Sequence, residues 1–180
     1  MEIKLEVLKA KLAEYRQATE QHRALADANA GAAQAMLAVD PSAPLRTGIH
    51  AATDVTGFGL LGHLREMLAG EGLGARIELR AVPVLDAAWD LAAANCIPDG
   101  SHNNFYYLAS FVAWDETIDR PARMVLCDAQ TSGGLLLAVP PERTGDLLAA
   151  LQEQATPAAA VIGEVVVDGP GGRITVAGSK

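Results

Sequence analysis

Hydrophobic and polar positions follow two different periods along this chain. Over residues 2–37 the period is helical: Leu5, Leu8, Leu12 and Tyr15 fall three or four apart, with charges of both signs between them. Residues so spaced share one helix face. Residues 24–36 continue as alanine-rich helix with Gly31 inside it, and Val39-Asp40-Pro41-Ser42-Ala43-Pro44 stops it. Two prolines in four residues remove backbone donors and clash with the preceding turn. This predicts a helical arm over 1–45 and a main domain over 46–180. The apolar stripe of the arm requires a partner: the domain itself, a second copy or a neighbouring chain.

From Ile49 onward the pattern shortens. Residues 49–53 read as a strand leading into a glycine-rich turn, and Leu60, Leu61, Leu64, Met67 and Leu68 then lie on one face of a helix ending at Gly70. Residues 75–81 alternate, with Ile77 and Leu79 on one side and Arg76, Glu78 and Arg80 on the other, as in a strand with one wet face. A helix is expected over 85–94 and a polar loop over 97–104. The apolar runs 124–127 and 135–139 read as strands flanking a second glycine loop. A helix over about 142–153 follows Pro140 and Pro141, and strands 160–167 and 173–176 read as a closing hairpin. No regular strand–helix–strand repeat is present. The expected class is α+β, a mixed β-sheet packed with α-helices and preceded by the helical arm, rather than a doubly wound parallel fold.

Composition narrows the partners. With 180 residues and 50% hydrophobic content the chain is long enough to bury a core without disulfides, and with 4% aromatics that core must be Ala, Leu and Val. A net charge of -8 without any basic run excludes a nucleic-acid or anionic-membrane surface. Cys96 and Cys127 stand without a CxxC or Cys/His ligand spacing, so zinc has no support, and both read as buried, reduced core thiols. The charged start Met-Glu-Ile-Lys-Leu-Glu is unlike a signal peptide, and no apolar run reaches the ~20 residues of a membrane helix. A cytoplasmic protein is expected.

Two stretches carry candidate chemistry. Thr53-Asp54-Val55-Thr56-Gly57-Phe58-Gly59-Leu60-Leu61-Gly62-His63 reads as strand, tight turn and helix start. Glycines permit close backbone approach, and the first N–H groups of a helix lack intrahelical partners, which suits phosphate. Asp54, at the strand tip, has the hard oxygen that Mg²⁺ takes. The same residues also read as a helix cap and a turn. Asp128-Ala129-Gln130-Thr131-Ser132-Gly133-Gly134 has the same character and the same two readings. Pro98-Asp99-Gly100-Ser101-His102-Asn103-Asn104 is rich in donors and could close over a substrate, but reads first as a solvated connection. His22, His50, His63 and His102 are scattered, with His63 structural or exposed, and no nucleophile–base set can be assembled. The absence of Gly-Lys-Ser or Gly-Lys-Thr excludes a P-loop.

Taken with their order, these stretches resemble a known family. The run from His50 to His63 is similar to the signature opening the carboxy-terminal domain of selenophosphate synthetases (selenide, water dikinases). Ile97-Pro98-Asp99-Gly100 with Asn104, then Asp128 to Leu136, then Val161-Ile162-Gly163-Glu164-Val165 resemble later motifs in the same order. The resemblance covers residues 47–177 and implies the fold of the aminoimidazole ribonucleotide synthetase-like superfamily. It also implies a reaction that makes selenophosphate from selenide and ATP with Mg²⁺. It carries a metal-ligand role onto Asp54 and cleft-lining, cofactor-binding roles onto Thr53, Thr56, Gly57, Gly59, Thr131, Ser132, Gly133 and Gly134. The family's amino-terminal domain, with its reactive Cys or selenocysteine, nearby Lys and metal-binding aspartates, is not matched, and residues 1–45 resemble only its last helices. The expectation is a carboxy-terminal half that is inactive without an amino-terminal ATP-binding half, or that pairs with a second copy as a homodimer. A non-catalytic partner or regulatory module of the same fold, or a related ATP-using synthetase with another substrate, are the alternatives.

Overall fold

The structure, a computed structural model, describes residues 29–36, 49–70, 72–169 and 171–178. Residues 29–36 are helical (α1). The elements that follow are β1 (Ala51–Asp54), α2 (Gly59–Met67), β2 (Leu73–Glu78), α3 (Asp86–Ala93), α4 (Asp99–Leu108), β3 (Val112–Trp114), α5 (Arg120–Leu126), β4 (Leu135–Ala138), α6 (Pro141–Glu153), β5 (Gly163–Val167) and β6 (Ile174–Ala177). The stripe Leu5–Leu8–Leu12–Tyr15 and the break at 39–44 lie outside the described residues.

Four strands form a mixed sheet in the order β3-β6-β2-β5, with β6 parallel to both β3 and β2 and β5 antiparallel to β2. The α+β class expected from the patterning is the observed one. Along β2 the alternation reads as expected, Ala75 and Ile77 buried and Arg76 and Glu78 exposed. Residues 79–81 turn into a 3₁₀ helix instead of extending the strand, while Leu79 stays in the core. Ile174 and Val176 of β6 are fully buried. They meet Leu61 and Leu64 of α2, Leu108 of α4 and Ala122, Leu126 and Cys127 around α5 in one apolar cluster. A smaller cluster joins Ala32 and Ala35 of α1 to Leu147 and Leu151 of α6 beside β4.

Four sequence expectations are corrected. The strands expected to form a hairpin across residues 168–172 are not neighbours, because β2 lies between them. The turn still reverses the chain, but it straddles the start of β2: Asp168 N donates to Gly72 O at 2.9 Å and Ala75 N donates to Arg173 O at 2.9 Å. Gly74 makes this possible, since a Cβ there would lie 2.7 Å from Arg173 O and 2.8 Å from Asp168 Cβ. Residues 124–127 belong to helix and its end, not a strand. Four apolar residues in a row do not distinguish the two, and the deciding signal lies upstream: Asp119 caps Ala122 N at 2.9 Å with Pro121 in the first turn. The polar loop of 97–104 is mostly α4, whose buried Ser101, Asn104 and Leu108 recur at helical spacing. Cys96, read as a core thiol, is exposed, whereas Cys127 is buried as expected.

Burial pushes the Cys127 thiol from an ordinary value of 9.0 up to about 12, because the thiolate would lose its hydration. The folded value lies above the unfolded one, so the stability tied to this thiol is complete below about pH 9 and is lost as pH rises toward 12. In native protein at pH 8, a chromogenic disulfide reagent is expected to titrate Cys96 at once and Cys127 only after denaturant is added. Rapid reaction of two thiols in the native state would contradict the packing described for α5.

Candidate functional site

The site begins where β1 ends. β1 and β4 pair antiparallel with Thr53 opposite Leu136 and Asp54 opposite Leu135. The pairing runs one residue further: Val55 N donates to Gly134 O at 2.9 Å, and Gly133 N donates to Val55 O at 2.8 Å. The tip of the first motif is thereby joined to the end of the second. Gln130 N adds a third link, donating to Thr56 O at 3.1 Å. The two glycine loops, seventy-odd residues apart in the chain, are one surface.

Side chains from two helices complete the joint. Asn104 of α4 uses both amide hydrogens, donating through Nδ2 to Gly57 O at 2.9 Å and to Cys127 O at 3.0 Å. Ser101, one turn earlier and fully buried, donates to Asp128 Oδ1 at 2.8 Å and accepts from Ala129 N at 3.0 Å. Asn29 of α1 donates to Gly133 O at 3.0 Å. A donor pair aimed at two backbone carbonyls is what a buried loop junction needs, since an unpaired buried carbonyl is costly.

The loop glycines divide into two kinds. Gly59 has φ +70°, and a Cβ on it would lie 2.8 Å from the carbonyl oxygens of Cys127 and Asp128. Gly133 is similarly confined, since a Cβ on it would lie 2.6 Å from Val55 O. These two let one loop lie on the other. Gly57 and Gly134 face open space. Of the remaining residues read as cleft-lining, Thr131 is exposed, and Thr53, Thr56 and Ser132 are half-buried. Thr53 Oγ1 turns back to Asp54 O at 3.2 Å.

Asp54 is exposed at the strand tip, and its carboxylate makes no hydrogen bond or ion pair with another described residue. No group of three or more His, Cys, Asp or Glu side chains that could hold a metal occurs among the described residues. The donor chemistry thus fits one oxygen ligand of an Mg²⁺ shell, not a complete shell. Behind the loop lies His63, 7% exposed, in the middle of α2. Its Nε2 is 3.1 Å from Thr56 Oγ1, and Phe58 packs on its ring with centroids 5.5 Å apart. Its Nδ1 lies 3.3 Å from Glu66 Oε2, close enough for charge to be felt although the geometry falls short of a hydrogen bond.

Reading 97–104 as a loop hid Ser101 and Asn104, whose spacing of three, followed by Leu108 four further on, is a helix face. His63 carried no signal beyond its position seven residues after Thr56.

Asn104 makes a direct test of the joint. Replacing it with Ala strips the donor from two carbonyls, at about 1–3 kcal/mol for each acceptor left unpaired. Urea unfolding of Asn104→Ala is expected to show that loss, and exchange of the bonded amides of Gly59, Cys127 and Gln130 at the joint should quicken. Unchanged stability would mean that the loops hold together without it.

The chain's relatives are consistent in kind. The family described as "AIR synthase related protein, C-terminal domain" matches residues 10–176. The chain is 44% identical over 134 residues to a selenide, water dikinase of Pelobacter propionicus, covering 73% of this chain and 38% of that protein. It is 42% identical over 132 residues to one from Carboxydothermus hydrogenoformans, covering 73% and 37%. A third, from Aeromonas hydrophila, is 47% identical over 102 residues, covering 57% and 29%. The matched stretch spans about a third of the length of these curated relatives, from 29% to 38%. No helix among the described residues is long and apolar enough to cross a membrane. With a family match over all but the chain's ends and with the fold to go with it, the chain belongs to the AIR synthase related proteins, as their C-terminal domain, and is homologous to selenide, water dikinases.

Proposed function

We propose that this chain forms the phosphate-facing wall of a selenide, water dikinase, an enzyme making selenophosphate from selenide and ATP. The observation that carries this reading is the joining of both glycine motifs into one surface with the exposed carboxylate of Asp54 at its edge. In this reading Asp54 gives one oxygen to Mg²⁺. Held there, the cation would supply positive charge to offset that of phosphate oxygens. The open stretches at Gly57 and at Thr131, Ser132 and Gly134 offer backbone N–H groups and hydroxyls to phosphate oxygens. Donors held in place before charge develops are worth more than mobile ones, because nothing must reorganise during transfer. Thr53, Gly59 and Gly133 serve by shaping the two loops.

A net charge of -8 makes the cation necessary: a polyphosphate would otherwise approach like charge. One carboxylate holds Mg²⁺ poorly, since the ion keeps most of its waters and leans on substrate phosphates. The rest of the shell and the nucleotide grip then belong to an amino-terminal portion, in cis, from a separate chain or within a homodimer. In this reading residues 1–45 are a remnant of the amino-terminal ATP-binding domain, 46–180 are the carboxy-terminal domain, and the setting is the cytoplasm.

The purified 180-residue chain is expected to release no phosphate from ATP with selenide. Adding the amino-terminal portion of the Pelobacter propionicus relative should restore release, and Asp54→Asn in that mixture should lower kcat by about 100-fold or more. Turnover by the chain alone would contradict the division of labour. No restoration by the added portion would favour a non-catalytic partner, and an unimpaired Asp54→Asn would remove the metal role.

A further inference from the structure

The Thr56–His63–Glu66 row bears on how the first loop treats charge. We infer that His63 is a positioning residue that fixes the polarity of the Thr56 hydroxyl, making Thr56 Oγ1 an acceptor on the cation side of the cleft and not a donor to phosphate. This deepens the proposed function and rests on reading the cleft as a magnesium–nucleotide wall.

Glu66 sets which nitrogen of His63 carries the proton. Its carboxylate accepts only, and its Oε2 stands 3.3 Å from His63 Nδ1. A bare Nδ1 there would set lone pair against carboxylate, so the neutral ring keeps its proton on Nδ1. Nε2 is then a bare acceptor, and the atom it meets at 3.1 Å is Thr56 Oγ1. A threonine has a single hydroxyl hydrogen. Once that hydrogen is given to Nε2, only lone pairs remain to face outward, and lone pairs suit a hard cation or its bound water.

Position agrees with this chemistry. Thr56 follows Asp54 by two residues on a segment still paired to the second motif through Val55, and side chains two apart on an extended segment leave the same face. His63 is buried, and Phe58 covers its ring while itself 55% exposed. Gly62 lets Phe58 settle there, since a Cβ at 62 would lie 2.7 Å from Phe58 Cβ. Sheltered from water, the Thr56–His63 bond keeps one direction. The first loop thus presents two oxygens to a cation, Asp54 and Thr56, and phosphate donors are left to backbone N–H groups and to Thr131 and Ser132.

The first test is the ring itself. Long-range proton–nitrogen correlation on the ¹⁵N-labelled chain at pH 8, assigned by loss of the signal in His63→Gln, should show Nδ1 protonated and Nε2 bare. Glu66→Lys, at an exposed position, should reverse the preference by setting a donor against Nδ1. A proton on Nε2 in the unsubstituted chain, or no response to Glu66→Lys, overturns the inference. The second test uses Mn²⁺ as the probe. Millimolar Mn²⁺ should broaden the amides of residues 54–57 first. Thr56→Val should weaken that effect about three- to tenfold, and Thr56→Ser, which keeps the oxygen, should restore it. If residues 54–57 do not respond in the unsubstituted chain, the reading of the cleft as a metal wall fails, whatever the tautomer. If Asp54 responds and Thr56→Val matches the unsubstituted chain, the cation-side role of Thr56 alone is overturned.

Discussion

Val55 is held on both its backbone groups by the second glycine loop, its N–H by Gly134 and its carbonyl by Gly133, while its side chain is buried in the main core. Drawing the loops apart would expose an apolar side chain and leave two polar groups without partners, each costing about 1–3 kcal/mol. Because Asp54 precedes Val55 and Thr56 follows it, this one residue sets where both candidate ligands stand. The register of β1 on β4 fixes Val55 in turn. A slip of one residue would turn Asp54 toward the core and Val55 toward solvent.

Around that pairing the polar groups are arranged for support rather than for chemistry. Ser101 and Asn104 come from one face of α4: Asn104 donates to the backbone carbonyls of Gly57 and Cys127, and Ser101 holds the Asp128 carboxylate and the Ala129 N–H. They belong to the same helix as Leu108, which is buried in the core, so the junction and the apolar interior are mechanically continuous. Gly59 and Gly133 act in the same sense by permitting contact that any side chain would prevent. Mobility in such loops would cost precision, and under the proposed function groups facing phosphate would have to be held within about 0.5 Å. The loops are therefore braced from behind and open in front, at Gly57 and Gly134.

Much of this was readable before any coordinates. The strand–turn–helix at 51–67 followed from alternation, glycines and the apolar face of α2, and α6 and β4 followed from proline and apolar runs. The errors share a cause. The run 124–127 was too short to show a period, the polar residues of 99–104 concealed a helix whose buried face is Ser101 and Asn104, and the 168–172 turn gives no sign that β2 threads between its two strands. Cys96 and Cys127 have equally bland neighbours in sequence, yet one is exposed and the other buried.

The residue order by itself determined the local elements with a clear period, the acidic balance and the two glycine motifs, because propensity, spacing and charge are properties of neighbours along the chain. Tertiary structure alone decided that the motifs meet, that Asn104 ties them, that His63 backs Thr56 and that β2 divides β5 from β6. Each of these is a contact between residues distant in sequence or turned together by a helix. Hydrogen bonds made across such distances depend on how whole elements pack, which no local pattern records.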